Sequence, residues 1–314
     1  MKLLRVSVLL QLLLLYSCNI VDFEDPSGDI TTVPDDNYAG EFIHDWAYSV
    51  NPTPYDNFDV AQFGLWVPED ISNLRALLIL LHGANTSALG FENNQNWQDF
   101  ANEENIGLIG VSFKGGNYTD PTGGSGKALL TALDSITTRN NIPEVYNLPF
   151  IMRGYSAGGV FSYNFSHWKP ERVVAFVNIR GGGISIDTPE NKHIPGLMLI
   201  GENDAPSRGE RMIHVVNSNR AIGGVWGYAI EPNAEHFSSL DASNFLAKKF
   251  FSAVLDLRVL NGTNELNNIP ENSGWLGNNE TKDIFSFGDY PDNPAEATWL
   301  TNELFGNYWQ EYQE

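Results

Sequence analysis

Hydrophobic positions along the chain fall into two kinds of run. Short continuous apolar runs, of which Ala76–Leu81 is the clearest, are typical of strands buried on both faces of a parallel sheet. Between them lie amphipathic segments, such as residues 126–138, where Leu129, Leu133 and Ile136 share one helical face. The alternation predicts an α/β domain whose central, mostly parallel sheet has five or six parallel strands flanked by helices. The predicted parallel strands are 76–81, 108–113, 148–152, 173–179, 197–200 and 225–230, and the predicted helices include 97–104, 126–138 and 245–259.

The two ends of this pattern differ from its middle. Residues 42–50 and 60–67 read as strands, and the turn residues between them predict a hairpin. After residue 260 the chain becomes polar and rich in Asn and Gly, yet it carries Trp275, Trp299 and Trp309. We therefore expect an aromatic-rich C-terminal extension, residues 261–314, that packs on the main domain, residues 41–260, rather than folding alone.

The first forty residues read as a targeting segment and a tether. Residues 1–17 combine Lys2 and Arg5 with an apolar stretch too short to span a membrane, which is typical of a signal peptide. Leu15-Tyr16-Ser17-Cys18 resembles the bacterial lipobox, in which the cysteine is lipidated. Residues 18–40 are acidic and lack apolar periodicity, so they are predicted to be a flexible tether. The expected location is the cell envelope, as an outer-membrane or cell-surface lipoprotein with a membrane anchor, or alternatively a secreted protein.

Composition narrows the classes of partner. The 314 residues are 42% hydrophobic, which is enough for a large buried core. A formal net charge of −21 repels polyanions, so we expect no nucleic acid as partner. Cys18 is the single cysteine, so no intramolecular disulfide can form. The spacing of the six histidines suggests no metal site, and no cofactor is expected.

The segment Gly154-Tyr155-Ser156-Ala157-Gly158-Gly159 follows an apolar run and precedes a helix-like segment. This is the nucleophile-elbow pattern, in which a serine stands on a tight turn between strand and helix and small neighbours avoid clashes. Ser156 is therefore the candidate nucleophile, and the amide of Ala157 is a candidate donor to an oxyanion.

An acid and a histidine follow in the order that such a serine requires. Asp204 lies on a loop after the strand at 197–200, with Glu202 as its competitor, whereas Glu235 adjoins the histidine and is disfavoured. His236 follows the last predicted strand. We expect His236 to take the proton of Ser156 while Asp204 orients the imidazole and stabilises its cation.

The turn after Ala76–Leu81 is the expected source of the second oxyanion donor. The amide of Ala84 is the predicted donor, and Asn85 is the nearest alternative. His82, which precedes this turn, is expected to hydrogen-bond the backbone of the loop.

With these residues placed, residues 41–260 resemble the α/β-hydrolase superfamily. Leu81-His82-Gly83-Ala84-Asn85, the elbow and Pro170-Glu171-Arg172 look like the group of polyhydroxybutyrate depolymerases, feruloyl esterases and dienelactone hydrolase-like esterases. The resemblance implies a serine carboxylic-ester hydrolase that works through an acyl-enzyme. A serine peptidase or amidase of the same fold and a non-catalytic binding protein on a hydrolase scaffold are the alternatives.

Only 48 positions separate Ser156 from Asp204, which leaves no room for a helical lid at the usual insertion point. The site is therefore expected to be open. An open groove suits a bulky or polymer-borne ester, such as a polysaccharide-linked one, and small-molecule esters also remain candidates. The sequence does not predict an oligomeric state.

Overall fold

The computed structural model describes residues 38–184, 191–260 and 265–314. The predicted signal peptide, the lipidation site Cys18 and residues 18–37 of the predicted tether lie outside the described residues.

Nine strands of the described chain form one sheet, in the order β1-β2-β3-β5-β4-β6-β7-β8-β9. The six strands from β4 to β9 pair in parallel, and β1, β2 and β3 add antiparallel at one edge. The predicted α/β fold with a mostly parallel central sheet flanked by helices is confirmed. The strands are β1 (Gly40–His44), β2 (Ala47–Val50), β3 (Val60–Trp66), β4 (Ala76–Leu81), β5 (Ile106–Lys114), β6 (Phe150–Tyr155), β7 (Val173–Ile179), β8 (Gly196–Gly201) and β9 (Trp226–Glu231).

Helices cover both faces of the sheet, as continuous apolar strands require. One face carries α2 (Ser125–Arg139), α3 (Ala157–Trp168) and α4 (Pro206–Ala221), and alternate strand residues such as Leu77 and Ile79 pack there. The opposite face carries α1 (Gln95–Glu104), α5 (Asp241–Arg258) and α6 (Glu303–Glu311), packed against Leu78 and Leu80 among others. Between β7 and β8, the described residues 180–184 and 191–195 form no α-helix.

The N-terminal edge corrects one prediction. The run 42–50 was expected to be one strand, but it contains a turn at Asp45 and Trp46 that separates β1 from β2. The amide of Trp46 donates to His44 Nδ1 at 3.2 Å, so a side chain takes a bond that a strand ladder would otherwise use. The predicted hairpin is present, because β2 pairs antiparallel with β3.

The C-terminal extension forms a small sheet and a helix. Strands β10 (Trp275–Gly277), β11 (Ile284–Ser286) and β12 (Thr298–Leu300) pair antiparallel in the order β11-β10-β12, and α6 follows. Trp299 and Trp309 are almost fully buried.

Strand β9 ends the large sheet, and side chains of the extension cover it. Trp309 Nε1 donates to the carbonyl of Tyr228 at 2.7 Å, and the amide of Ile230 donates to Gln313 Oε1 at 3.2 Å. Thr298 Oγ1 accepts from the amide of Tyr228 at 3.2 Å. Backbone groups of an edge strand that a further strand would pair are thus satisfied by side chains. None of the described helices is long and apolar enough to cross a membrane.

Candidate active site

Ser156 lies on a strained turn between β6 and α3. Its φ and ψ are 54° and −121°, a backbone conformation that non-glycine residues rarely adopt. Its amide donates to the carbonyl of Ile179 in β7 at 2.8 Å. A Cβ at Gly154 would lie 1.9 Å from the carbonyl oxygen of Gly158, so this turn forms only with glycine there.

The structure brings Ser156, His236 and Asp204 together in one hydrogen-bonded chain. Ser156 Oγ lies 3.0 Å from His236 Nε2, and His236 Nδ1 lies 2.9 Å from Asp204 Oδ2. A proton on Nδ1, shared with Asp204, leaves the lone pair of Nε2 free to accept the serine proton. The arrangement can support nucleophilic catalysis, in which the imidazole would take the serine proton and the carboxylate would orient the ring.

Asp204 is itself held by two further groups. Its Oδ1 accepts the amide of Ala205 at 2.7 Å and pairs with Arg208 in the first turn of α4. The carboxylate is 5% exposed. Because one oxygen is occupied in this way, the other is directed at His236.

The two other carboxylates weighed as acids have different partners. Glu202 Oε2 accepts the amide of Asn233 at 2.7 Å and so ties the end of β8 to the loop after β9. Glu235 is exposed, and its amide donates to Ser238 Oγ at 2.9 Å. Both ring nitrogens of His236 are taken by Ser156 and Asp204.

The loop after β4, which carries the predicted oxyanion donor Ala84, lies close to the serine. Gly83 packs so closely that a Cβ built on it would be 3.4 Å from Ser156 Cβ, and the amide of Gly158 donates to the carbonyl of His82 at 3.1 Å. Ala84 lines the cavity beside Ser156. Ala157 begins α3, where helical amides lack partners within the helix. Asn85 is exposed with a φ of 58°, as suits a turn residue.

His82 makes a different contact from the expected one. Its Nδ1 lies 2.5 Å from Thr86 Oγ1, and that hydroxyl donates to the carbonyl of Gly83 at 2.6 Å. The histidine therefore supports the loop through a threonine side chain rather than by bonding the backbone. Burial, and secondarily the charge of Arg153, lowers the pKa of His82.

A cavity of about 390 Å³ opens beside the serine. Phe237 and Leu240 give it apolar surface, and Thr86 and Ser239 contribute hydroxyls. Phe237 follows the histidine directly, is 88% exposed, and its ring centroid lies 4.8 Å from that of His236. No carboxylate, ammonium or guanidinium group of the described chain lines this cavity. The lining residues are His82, Gly83, Ala84, Thr86, Tyr155, Ser156, His236, Phe237, Ser238, Ser239 and Leu240.

The sequence reasoning missed the residues that hold the histidine. Tyr155 Oη donates to the carbonyl of His236 at 2.8 Å, and Arg180 Nη1 donates to the same oxygen at 3.2 Å. A signal was present, because Arg180 directly follows the apolar strand Val173–Ile179. An arginine at the end of a buried strand must find buried acceptors, and only the fold shows which ones.

A second arginine, Arg153, lies in the elbow strand itself. It is 1% exposed, and burial lowers its pKa to about 10. Its guanidinium donates to Asn244 Oδ1 of α5, at 2.6 Å from Nη2, and to the carbonyl of Leu81 at 3.2 Å. It thus joins α5 to the end of β4, immediately before the loop that carries His82, Gly83 and Ala84.

No protein-family model matches the chain, and a search of curated proteins gave no match. Solved structures are similar in fold. A poly(aspartic acid) hydrolase of Sphingomonas sp. KT-1 is 16% identical, with 65% of this chain and 97% of that chain covered and a TM-score of 0.47. A fluorophosphonate-binding serine hydrolase of Staphylococcus aureus is 12% identical, with 69% and 98% covered and a TM-score of 0.45. An acetyl xylan esterase of Aspergillus awamori is 12% identical, with 64% and 97% covered and a TM-score of 0.44. These values are too low to indicate a substrate, so we infer function from the site geometry.

Proposed function

We propose that this protein is a serine hydrolase that cleaves carboxylic esters through an acyl-enzyme. The observation that carries the proposal is the chain of hydrogen bonds from Asp204 through His236 to Ser156, with the serine on a strained turn beside a cavity. These are the parts that nucleophilic attack on a carbonyl needs: a nucleophile, a base within reach of its proton, and a group that orients the base.

In the first half of the reaction, Ser156 Oγ bonds to the ester carbonyl carbon as its proton passes to His236 Nε2. The carbonyl π electrons move to oxygen, and the amides of Ala84 and Ala157 are the proposed donors to that oxyanion. Collapse of the intermediate breaks the bond to the alcohol oxygen, which leaves with the proton from His236. Water then repeats the sequence, releasing the carboxylic acid and restoring the serine.

The cavity supports an uncharged substrate. Its lining groups include hydroxyls and the apolar side chains of Phe237 and Leu240. A charged acyl or alcohol group would lose its hydration there without gaining a counter-ion. The exposed ring of Phe237 gives a flat or bulky group a surface at the mouth, which favours bulky or polymer-borne esters such as polysaccharide-linked ones.

The location proposed for this activity rests on the sequence alone. Lipidation of Cys18 would anchor the domain to the cell envelope through residues 19–40. Labelling with a radioactive fatty acid tests the anchor: label must enter the wild-type protein and be lost from the Cys18→Ala variant.

The test of the activity is hydrolysis of a panel of nitrophenyl esters, from acetate to octanoate and including ferulate. We expect turnover that falls by about a millionfold in Ser156→Ala. Ser135→Ala is the matched control, since Ser135 lies in α2 and its hydroxyl donates to the carbonyl of Thr131 within that helix. Equal ester turnover by Ser156→Ala and Ser135→Ala would refute the proposal. Silence of the folded wild type toward every ester would instead favour amide substrates or a binding role.

A further inference from the structure

The loop after β9 that carries His236 is held from beneath by one buried arginine. Arg180 Nη1 donates to the carbonyls of His236 at 3.2 Å and Ser238 at 2.9 Å, and Nη2 reaches that of Ser239 at 3.3 Å. The side chain of Arg180 is fully buried, and its backbone has a φ of 54°. A planar guanidinium offers its donors in a fixed fork, so the direction of the guanidinium sets where these carbonyls lie.

The direction of Arg180 is set in turn by Glu231 at the end of β9. Arg180 Nη2 lies 2.7 Å from Glu231 Oε2. The same oxygen accepts from Ser243 Oγ of α5 at 2.9 Å and from Tyr312 Oη at 3.0 Å. Three donors on one carboxylate oxygen leave this glutamate little rotational freedom.

Tyr312 lies near the C-terminal end of the sequence. It directly follows α6 of the C-terminal extension, and the helix cap bonds its amide to the carbonyl of Tyr308 at 3.1 Å. Burial, together with the nearby charge of Glu231, raises the pKa of Tyr312, so the phenol keeps its proton and can donate to the carboxylate.

These contacts form a continuous series from the extension to the base of the reaction. We propose that Tyr312, Glu231 and Arg180 are positioning residues through which the C-terminal extension fixes the orientation of His236. The extension is then part of the apparatus that aligns the imidazole with Ser156 and Asp204. This inference rests on the proposed hydrolase function.

The first test is Tyr312→Phe, which removes one hydroxyl and keeps the packed ring. We expect kcat for the preferred nitrophenyl ester to fall by about tenfold with KM unchanged, the effect of losing one hydrogen bond to a charged group. Arg180→Lys keeps the charge but loses the fork and should lower kcat by about a hundredfold, as expected for a misplaced base.

Two matched variants separate positioning from general loosening. Tyr308→Phe removes a hydroxyl from the same helix, where the ring packs on Phe245 with centroids 5.6 Å apart. Arg220→Lys alters another buried arginine, which pairs with Glu271 at 2.9 Å and donates to the carbonyl of Ala297 at 3.0 Å. Both controls should keep wild-type kcat. A stable Tyr312→Phe variant with unchanged kcat, or an equal loss in Tyr308→Phe, would overturn the inference.

A spectroscopic readout keeps this test independent of the substrate. The imidazole proton that His236 shares with Asp204 should give a low-field proton NMR resonance in the wild type, and Tyr312→Phe should broaden or shift it. If no ester is turned over yet this resonance responds as expected, the positioning role stands and the proposed ester hydrolysis fails. A resonance that Tyr312→Phe and Arg180→Lys both leave unchanged refutes the positioning role.

Discussion

The serine and the histidine of the site are held in opposite ways. Ser156 is held mainly by its own neighbours in sequence, since the turn from β6 into α3 requires glycine at position 154, and its amide adds one bond to Ile179 of β7. His236 lies on a loop held by side chains from distant elements, among them Tyr155 of β6, Arg180 after β7 and Glu202 after β8. The position of the nucleophile is therefore a local property, whereas that of the base is a property of the whole fold.

After the loss expected for Ser156→Ala, the largest effect on kcat is expected at Asp204, which bonds the imidazole of His236. Asp204→Asn keeps the size of the side chain but allows the amide to donate to His236 Nδ1, which stabilises the wrong tautomer. We expect kcat to fall by about ten thousandfold while KM changes little. The measurement is kcat for the preferred ester, taken over a range of pH. Asp241→Asn, at the exposed start of α5, is the control. If Asp204→Asn retained more than a tenth of the activity, the acid would have to be sought elsewhere.

A substitution in the turn that carries Ser156 should mainly lower the stability of the fold. Gly154→Ala places a Cβ 1.9 Å from the carbonyl oxygen of Gly158 within the elbow, where backbone must move, and we expect a loss of about 2 kcal/mol in the free energy of unfolding. Gly288→Ala is the control, because no atom lies within 4 Å of the added Cβ, and it should stay within about 0.5 kcal/mol. Urea unfolding of both variants measures the difference. Equal midpoints would mean that the elbow is not locally constrained.

Loss of a single contact to the loop that carries His236 should have a smaller effect on stability and activity, because several side chains hold that loop. Tyr155→Phe removes one of the two donors to the carbonyl of His236 and leaves Arg180 in place. We expect the free energy of unfolding to fall by about 1 kcal/mol and kcat to fall by less than about tenfold. Thermal unfolding and ester turnover test this, with Tyr146→Phe as control, because Tyr146 is a half-buried tyrosine in the segment that precedes β6, at the opposite end of that strand from Tyr155. A collapse of activity on the scale of Asp204→Asn would show that the loop depends on Tyr155 alone.

This contrast also explains what the sequence could and could not predict. The buried strands, the flanking helices and the elbow follow from apolar runs and glycine spacing, which are local patterns, and the fold prediction was confirmed. Asp204 and His236 were reachable because each follows a strand end, where parallel sheets bring loops together. Their catalytic roles and those of Ala84 and Ala157 remain predictions.

The supporting residues could not be reached in the same way. The bonds from Arg180 to Ser238 and from Tyr312 to Glu231 join positions 58 and 81 apart in sequence, and no periodicity records such pairs. The contact of His82 with Thr86 was missed for a different reason, because a backbone and a side-chain acceptor in one turn look alike in sequence. The turn that separates β1 from β2 was hidden inside a run of strand-forming residues.

The way in which the extension covers β9 has a consequence for solubility. An uncovered strand at the end of a sheet offers its amides and carbonyls to any other strand, including the same strand of a second molecule. Here Trp309, Thr298 and Gln313 occupy those groups with side chains, which give no template for a further strand to copy. Removal of the extension would therefore expose unpaired backbone groups along β9, and the first consequence in the cell would be self-association of the protein through this strand.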